Sequence, residues 1–196
     1  MPTITVDAVL FDMDGTLIDS TPGVLLAWDS FARTYKFDGS AAAHAAHGRR
    51  LADTLGEWCG ITDPQKLADE IVRFEEEVIE DGPIALPGAS ALLKQIDAGS
   101  TTSSPGWTIV TSATNVYTPK ALERTGVPVP PIGYVTSDDV KRGKPHPDPY
   151  LAGAHKVGVD PALCTPVSRR RYVVLNLINL RLPGGQVWLS RTRRPG

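Results

Sequence analysis

Short hydrophobic runs and longer amphipathic stretches alternate along most of this chain. The runs at 6–10 and 107–111 are nearly continuous, which is typical of strands buried on both faces of a parallel sheet. Between them, hydrophobic residues recur at helical spacing over 21–35, about 41–58 and about 64–80. The pattern therefore predicts an α/β fold with three helices inserted between the first two strands of the sheet.

Capping residues and helix breakers mark where these elements begin and end. Thr21 precedes Pro22, which predicts a helix that starts with Thr21 as its N-cap. A glycine destabilises an alanine-rich helix by about 1 kcal/mol relative to alanine. Gly48 therefore predicts a break in the helix there, or the close approach of another group. Three further elements are predicted downstream: a helix at 89–96, a helix at 118–126 and a strand at 132–135.

The composition is that of a globular protein from a reducing compartment. Of the 196 residues, 41% are hydrophobic and 21% are charged, which suffices for one α/β domain with a smaller inserted domain. Cys59 and Cys164 lie far apart and lack the spacing of a zinc site. No basic, apolar leader opens the chain, and no apolar run reaches the roughly 18 residues of a membrane helix. A cytoplasmic protein without membrane contact is therefore expected.

Charge is divided unevenly between the body of the chain and its last segment. Residues 166–196 contain seven arginines, no lysine and no acid, so they carry +7, whereas residues 1–165 carry −9. The two parts do not share one composition. The last segment looks like sequence read from an unspliced intron or a shifted frame, and the alternative is a basic tail for an acidic partner.

Two acids at the end of the first predicted strand are the strongest chemical feature of the sequence. Asp12 and Asp14 are two residues apart, so on an extended backbone they share one face, while Gly15 allows a sharp turn and Thr16 adds a hydroxyl. Neighbouring carboxylates repel each other unless a cation or a shared proton relieves the repulsion. Because Mg²⁺ prefers carboxylate, carbonyl and phosphate oxygens, it is the expected cofactor.

The segment at 11–20 resembles the first motif of the haloacid dehalogenase-like superfamily, most of whose members are magnesium-dependent phosphohydrolases. The resemblance implies that Asp12 is the nucleophile, which becomes an aspartyl-phosphate, and that Asp14 is the general acid and then the base. It also implies that Asp12 and the carbonyl of Asp14 bind the metal, with Thr16 among the substrate-binding residues.

Two later segments resemble the second and third motifs of the same superfamily. The second strand delivers Ser112, whose hydroxyl is expected to hold phosphoryl oxygens together with the N–H of Ala113. Lys144 lies in a proline-rich segment that keeps the backbone extended, so its ammonium can reach inward. The resemblance implies that Lys144 neutralises the aspartyl nucleophile and the phosphoryl charge. The segment at 139–150 narrows the resemblance to fungal-type glycerol-3-phosphate and 2-deoxyglucose-6-phosphate phosphatases.

The helical insertion resembles the small cap of these phosphatases, which closes over the active site and excludes water. His47 and Arg50 belong to a His-Gly-x-Arg pattern similar to theirs, which implies substrate contacts; the alternative is a solvated helix face with a turn. Glu75, Glu76 and Glu77 are expected to form a solvated face.

The fourth motif of the superfamily is missing from the sequence. It would be a hydrophobic strand ending in one or two acids that complete the magnesium site, yet no Asp or Glu follows Asp160, and arginines stand at 169–171. Residues 172–180 and 186–189 could still form edge strands. The predicted architecture is a Rossmann-like parallel-sheet core (1–18 and 85–165), a helical cap (19–84) and an atypical arginine-rich tail (166–196), with the C-terminal part of the core truncated or replaced.

The motifs together predict a phosphatase that hydrolyses small sugar or polyol phosphates through an aspartyl-phosphate and Mg²⁺. Three alternatives stay open. One is an impaired variant that binds phosphate esters or a partner protein without turnover, and another is a sugar phosphomutase. The third, a nucleic-acid binder, is disfavoured because the body is acidic and the tail has few aromatic residues. A small-molecule phosphate ester is the expected partner.

Overall fold

A computed structural model describes residues 6–46, 48–101 and 105–168 of the chain. Within these ranges the elements are, in chain order, β1 (Ala8–Phe11), β2 (Ile18–Asp19), α1 (Thr21–Tyr35), α2 (Gly39–Ala46), α3 (Leu51–Cys59), α4 (Pro64–Glu80), β3 (Ile84–Ala85), α5 (Ala89–Ala98), β4 (Trp107–Ile109), α6 (Tyr117–Thr125), α7 (Asp148–Val157) and β5 (Cys164–Val167).

The central sheet is parallel, with β1 between β4 and β5. Its register places Phe11, the last residue of β1, opposite Ile109 on one side and Val167 on the other. All four residues of β1 are buried, as the continuous hydrophobic run predicts for a strand covered on both faces. Because all three strands run the same way, their carboxyl ends meet at one edge of the sheet.

The strand β5 extends beyond the C-terminal boundary of the core that was predicted from the sequence. It continues to Val167, two residues past the end assigned to the core, and pairs with the whole of β1. Pro166 lies inside it, and the carbonyls of Leu163 and Val167 accept hydrogen bonds from the N–H groups of Asp7 and Asp12, the residues that flank β1, at 3.0 and 2.9 Å. The alternation along a strand therefore turns the ring nitrogen of Pro166 away from β1, where a missing N–H costs no hydrogen bond in this pairing.

Among the described residues between β1 and β4, four helices precede α5, not the three expected. The second predicted helix is divided into α2 and α3, and Gly48 between them has a φ of 74°. That left-handed conformation suits glycine, which explains the break that its presence predicted. The helix α1 begins at Thr21, but its N-cap is Ser20 rather than Thr21, and the Ser20 side chain does not cap the helix.

The helices α1 and α4 share an aromatic core. The ring of Phe74 lies 4.9 Å from that of Trp28 and 5.3 Å from that of Phe31, both edge-on. At Gly23 the two helices approach so closely that a Cβ would lie 2.5 Å from the carbonyl oxygen of Val78. This packing fixes α4 against α1 and so sets the directions in which the other faces of α4 point.

The strand predicted at 132–135 is reduced to a single bridge. Val135 pairs in parallel with Val110, through hydrogen bonds of 2.8 and 2.9 Å to Ile109 and Thr111. Residues 172–180 and 186–189, where edge strands were considered, lie outside the described residues.

In the described ranges, no helix combines the length and the apolar character that crossing a membrane requires.

Candidate active site

The carboxyl edge of the sheet brings together three side chains that are far apart in the sequence. Asp12 follows β1, Ser168 follows β5, and Lys144 reaches the same edge from the loop before α7. The Lys144 Nζ donates to Asp12 Oδ1 at 2.7 Å, and the Ser168 hydroxyl donates to Asp12 Oδ2 at 2.8 Å. Both carboxylate oxygens of Asp12 therefore have a donor.

Lys144 is held by contacts on several sides. Its Nζ also donates to the carbonyl of Val110 at 2.8 Å and lies 5.1 Å from the centre of the Tyr150 ring. The Lys144 side chain is 8% exposed and that of Asp12 is 14% exposed. A buried ammonium of this kind needs its anionic partner, because an unpaired charge is costly to bury. The geometry therefore presents Asp12 as an ionised carboxylate with a fixed counter-charge.

Asp14 lies two residues further along the chain and is also partly buried. Its Oδ1 accepts a hydrogen bond of 2.6 Å from the Ser20 hydroxyl and a longer one of 3.4 Å from the Tyr117 hydroxyl. Burial raises the pKa of Asp14 to about 6, with a further contribution from the negative charge of Asp12, while the hydrogen bond from Ser20 opposes the shift. A carboxyl group with this pKa can hold and release a proton near neutral pH.

The partners of Asp14 were missed by sequence reasoning. Ser20 explains the missing cap on α1, because its hydroxyl is directed to Asp14 instead. Tyr117 is the first residue of α6 and is separated from Asp14 by 103 positions, so no local pattern indicates the contact.

Ser112 and Ala113 lie in the loop after β4, as predicted, but their polar groups have other partners in this structure. The Ser112 hydroxyl donates to the carbonyl of Gly48 at 3.2 Å, and the N–H of Ala113 donates to the Thr111 hydroxyl at 3.1 Å. Thr16 lies in the turn after Asp14, where its N–H donates to the carbonyl of Met13 at 3.1 Å. The phosphoryl-binding roles of these residues stay predictions.

Arg50 joins the inserted helices to the core. Its guanidinium donates to three backbone carbonyls of the segment that precedes Lys144, at 2.6 to 3.2 Å: those of Ser137, Val140 and Lys141. This arrangement differs from a solvated helix face and places Arg50 beside the candidate site. His47, the other substrate-binding residue predicted in this region, lies outside the described residues.

Glu75 contradicts the expectation of a solvated face on α4. It is 6% exposed, and its carboxylate accepts from the hydroxyl and the N–H of Thr114, at 2.6 and 3.3 Å. Burial raises its pKa to about 7, against the opposing effect of the Thr114 hydrogen bonds. Glu76 is exposed, as expected, and Glu77 is half-buried beside Arg73. Periodicity shows which residues share a helix face but not what packs against that face.

The described residues do not provide a complete donor set for Mg²⁺. They contain no group of three His, Cys, Asp or Glu side chains that could hold a metal ion. Asp12 and the carbonyl of Asp14 are available in principle, but both oxygens of Asp12 already accept hydrogen bonds. Ser168, which follows the neighbouring strand β5, contributes a neutral hydroxyl to Asp12. A near-octahedral magnesium site held by carboxylates is therefore not assembled from these side chains.

Comparison with known proteins identifies relatives over most of the chain. The profile of haloacid dehalogenase-like hydrolases matches residues 6–167. Hexitol phosphatase A of Escherichia coli is 36% identical over 160 residues, covering 81% of this chain and 72% of that protein.

Two yeast enzymes are similar over the same region. Glycerol-1-phosphate phosphohydrolase 2 of Saccharomyces cerevisiae is 33% identical over 80% of this chain and 61% of its own length. The 2-deoxyglucose-6-phosphate phosphatase 2 of that yeast is 28% identical over 76% of this chain and 64% of its own length. The chain thus spans less than two thirds of both yeast relatives.

Among solved structures, a hydrolase from Pseudomonas syringae superposes with a TM-score of 0.69 at 26% identity, covering 84% of this chain and 77% of that one.

Proposed function

This chain belongs to the haloacid dehalogenase-like hydrolases, and we propose that it hydrolyses small sugar or polyol phosphates through an aspartyl-phosphate. The observation that carries the proposal is the Asp12–Lys144 pair at the carboxyl edge of the sheet, with 2.7 Å between Lys144 Nζ and Asp12 Oδ1. A buried carboxylate beside a fixed ammonium is suited to attack on an anionic phosphoryl group, because the ammonium offsets the repulsion between the two anions.

The first chemical step uses Asp12 and Asp14. A carboxylate oxygen of Asp12 attacks phosphorus, the bond from phosphorus to the ester oxygen breaks, and the leaving alkoxide takes the proton of Asp14. The pKa of Asp14, raised to about 6, supports this role, since part of the population is protonated near neutral pH. Ser20 keeps the Asp14 carboxyl in place while it exchanges its proton.

The second step regenerates the enzyme. Asp14, now ionised, takes a proton from water, the resulting hydroxide attacks phosphorus, and the bond between phosphorus and Asp12 breaks to release phosphate. Lys144 is then again the counter-charge of the free Asp12 carboxylate. Ser112 and the N–H of Ala113 are proposed to hold the phosphoryl oxygens after leaving their present partners.

Phosphatases of this family generally use Mg²⁺, which supplies positive charge at the phosphoryl group. For this chain we propose weak Mg²⁺ binding, because the described donors fall short of a complete site. This observation favours a second candidate function, a protein that binds phosphate esters but turns them over slowly.

The substrate class is proposed from the relatives and from the inserted helices. Proteins named for hexitol, glycerol and 2-deoxyglucose phosphates are similar to this chain over three quarters or more of its length. Arg50 lies at the junction of these helices with the core, where it can influence how a polyol phosphate enters the candidate site.

The function is tested by phosphate release from a panel of hexitol, glycerol and 2-deoxyglucose phosphates, with nucleoside monophosphates as controls, at saturating Mg²⁺. We expect release from the sugar and polyol esters in preference to the nucleotides. Preference for nucleotides would overturn the substrate class, and tight ester binding without release would support the slow-turnover candidate.

Replacing Arg50 with alanine tests the predicted role in substrate recognition. We expect kcat/KM for a polyol phosphate to fall about tenfold to a hundredfold, with a much smaller loss for p-nitrophenyl phosphate, which needs little recognition. Arg49→Ala is a matched control, because Arg49 pairs with the exposed Glu57. Equal losses on both substrates would instead assign Arg50 to holding the segment at 137–141.

A further inference from the structure

A buried carboxylate of the inserted helices, not used in the chemistry above, enters the core beside the candidate site. Glu75 lies on α4 among the buried residues of that helix. Its Oε2 accepts from the Thr114 hydroxyl at 2.6 Å and its Oε1 accepts from the Thr114 N–H at 3.3 Å. Both carboxylate oxygens are thus directed at one residue, 39 positions away in the sequence.

Thr114 connects this contact to the start of α6. Its hydroxyl oxygen accepts from the N–H groups of Val116 and Tyr117, at 3.3 and 3.2 Å, which satisfies donors that a helix start leaves without partners. Its carbonyl accepts from the N–H and the hydroxyl of Thr118, at 3.1 and 2.7 Å. Since the Thr114 hydroxyl gives its one proton to Glu75, it is oriented to accept from the helix.

The residues on either side of Thr114 belong to the site. Ser112 and Ala113, the proposed phosphoryl-binding residues, precede it directly. Tyr117, whose N–H bonds to Thr114, reaches the carboxyl of Asp14 with its hydroxyl at 3.4 Å. A displacement of Thr114 therefore moves both the phosphoryl-binding loop and one of the partners of the general acid.

We propose that Glu75 is a positioning residue, which fixes Thr114 from the inserted helices and so orders the loop at 112–115 for phosphoryl binding. The proposal rests on the proposed function, since it assigns that loop to the phosphoryl group. Without Glu75, the loop at 112–115 keeps hydrogen bonds to the segment at 137–138, from the N–H of Asn115 to the Asp138 carboxylate at 2.8 Å and from the N–H of Ser137 to the carbonyl of Ala113 at 2.9 Å. The packing of the inserted helices on the core therefore determines, through Glu75, whether the loop at 112–115 is ordered.

The identity of the residue fits this role. A buried carboxylate beside Asp138 and Asp14 is unfavourable, and these charges add to burial in raising the pKa of Glu75 to about 7. A leucine would fill the same space without that cost, so packing alone does not explain a glutamate. The two hydrogen bonds to Thr114 are what the carboxylate provides.

The test compares Glu75→Leu, which removes the acceptor, with Glu75→Gln, which keeps one. Glu76→Leu is the matched control on the exposed side of the same helix. Thr114→Val and the variant that combines it with Glu75→Leu complete a double-mutant cycle. The readouts are the affinity for inorganic phosphate by calorimetry, kcat and KM for a polyol phosphate, and the thermal unfolding temperature.

We expect Glu75→Leu to weaken phosphate binding about tenfold or more, and Glu75→Gln to remain within about threefold of the wild type. Thr114→Val should weaken binding to a similar extent, and the double variant should be no worse than either single one. Glu76→Leu should change nothing.

A Glu75→Leu protein that unfolds at a lower temperature but binds phosphate normally would overturn the proposal, as would additive effects in the cycle. Phosphate binding by the wild type without turnover would overturn the proposed phosphatase activity alone. A wild-type protein that binds no phosphate at millimolar concentration would overturn the positioning role of Glu75.

Discussion

Asp12→Asn is expected to lower phosphate release from any ester substrate by at least about a thousandfold. The amide keeps the size of the side chain and an acceptor for the Ser168 hydroxyl, but it cannot attack phosphorus. It also leaves the ammonium of Lys144, 8% exposed, without its anionic partner. The loss therefore combines an absent nucleophile with an uncompensated buried charge.

The unpaired lysine makes a folding control necessary. Removing one partner of a buried pair costs about 3–5 kcal/mol, so the unfolding temperature of Asp12→Asn must be measured beside its activity. Asp7→Asn is a matched control, because Asp7 lies just before the other end of β1, away from Lys144. If Asp12→Asn remains folded and hydrolyses esters at near the wild-type rate, Asp12 is not the nucleophile and the aspartyl-phosphate route is wrong.

Ser168→Asp is expected to raise the affinity for Mg²⁺ by about tenfold or more, and the rate of phosphate release with it. Ser168 directly follows β5, as Asp12 directly follows β1, and the Ser168 hydroxyl lies 2.8 Å from Asp12 Oδ2. A carboxylate in that position faces the carboxylate of Asp12, and their repulsion is relieved most directly by a divalent cation. The wild-type chain is expected to bind Mg²⁺ poorly, since a hydroxyl replaces this second charge.

Calorimetric titration of Mg²⁺ into both proteins measures the effect without relying on turnover. Ser168→Asn is the matched control, since it has the size of aspartate but no charge and should bind Mg²⁺ no better than the wild type. Tight Mg²⁺ binding and brisk turnover by the wild-type protein would show that other groups complete the site.

Local sequence was sufficient for the family and for most of the elements. The predicted α/β fold and the membership among haloacid dehalogenase-like phosphatases are confirmed by the family profile and the relatives. The helix predicted at about 64–80 is α4, Pro64–Glu80. These features depend on hydrophobic periodicity, caps and glycines, each of which acts within a few residues.

Side-chain roles that depend on partners far away in the sequence were harder to predict from the sequence. Lys144 was predicted to face Asp12 only because its segment resembles a known motif, and the contact of 2.7 Å spans 132 positions. Glu75 was expected in solvent, since a run of three glutamates is ordinarily solvated. The acidic fourth motif is absent, and nothing in the run from Cys164 to Ser168 indicated a strand that delivers a hydroxyl to Asp12.

The sequence by itself determined where the chain turns and which strand ends carry the candidate catalytic residues, because backbone preferences and burial patterns are local. Only the tertiary structure decided which groups face one another: Ser168 toward Asp12, Ser20 and Tyr117 toward Asp14, and Glu75 toward Thr114. The parallel pairing of β1 with β5 and the packing of α4 against α1 produce these contacts. Both arise from the burial of hydrophobic surface between segments that are far apart in the sequence. This burial fixes the relative position of the segments, which the local sequence of each segment does not indicate.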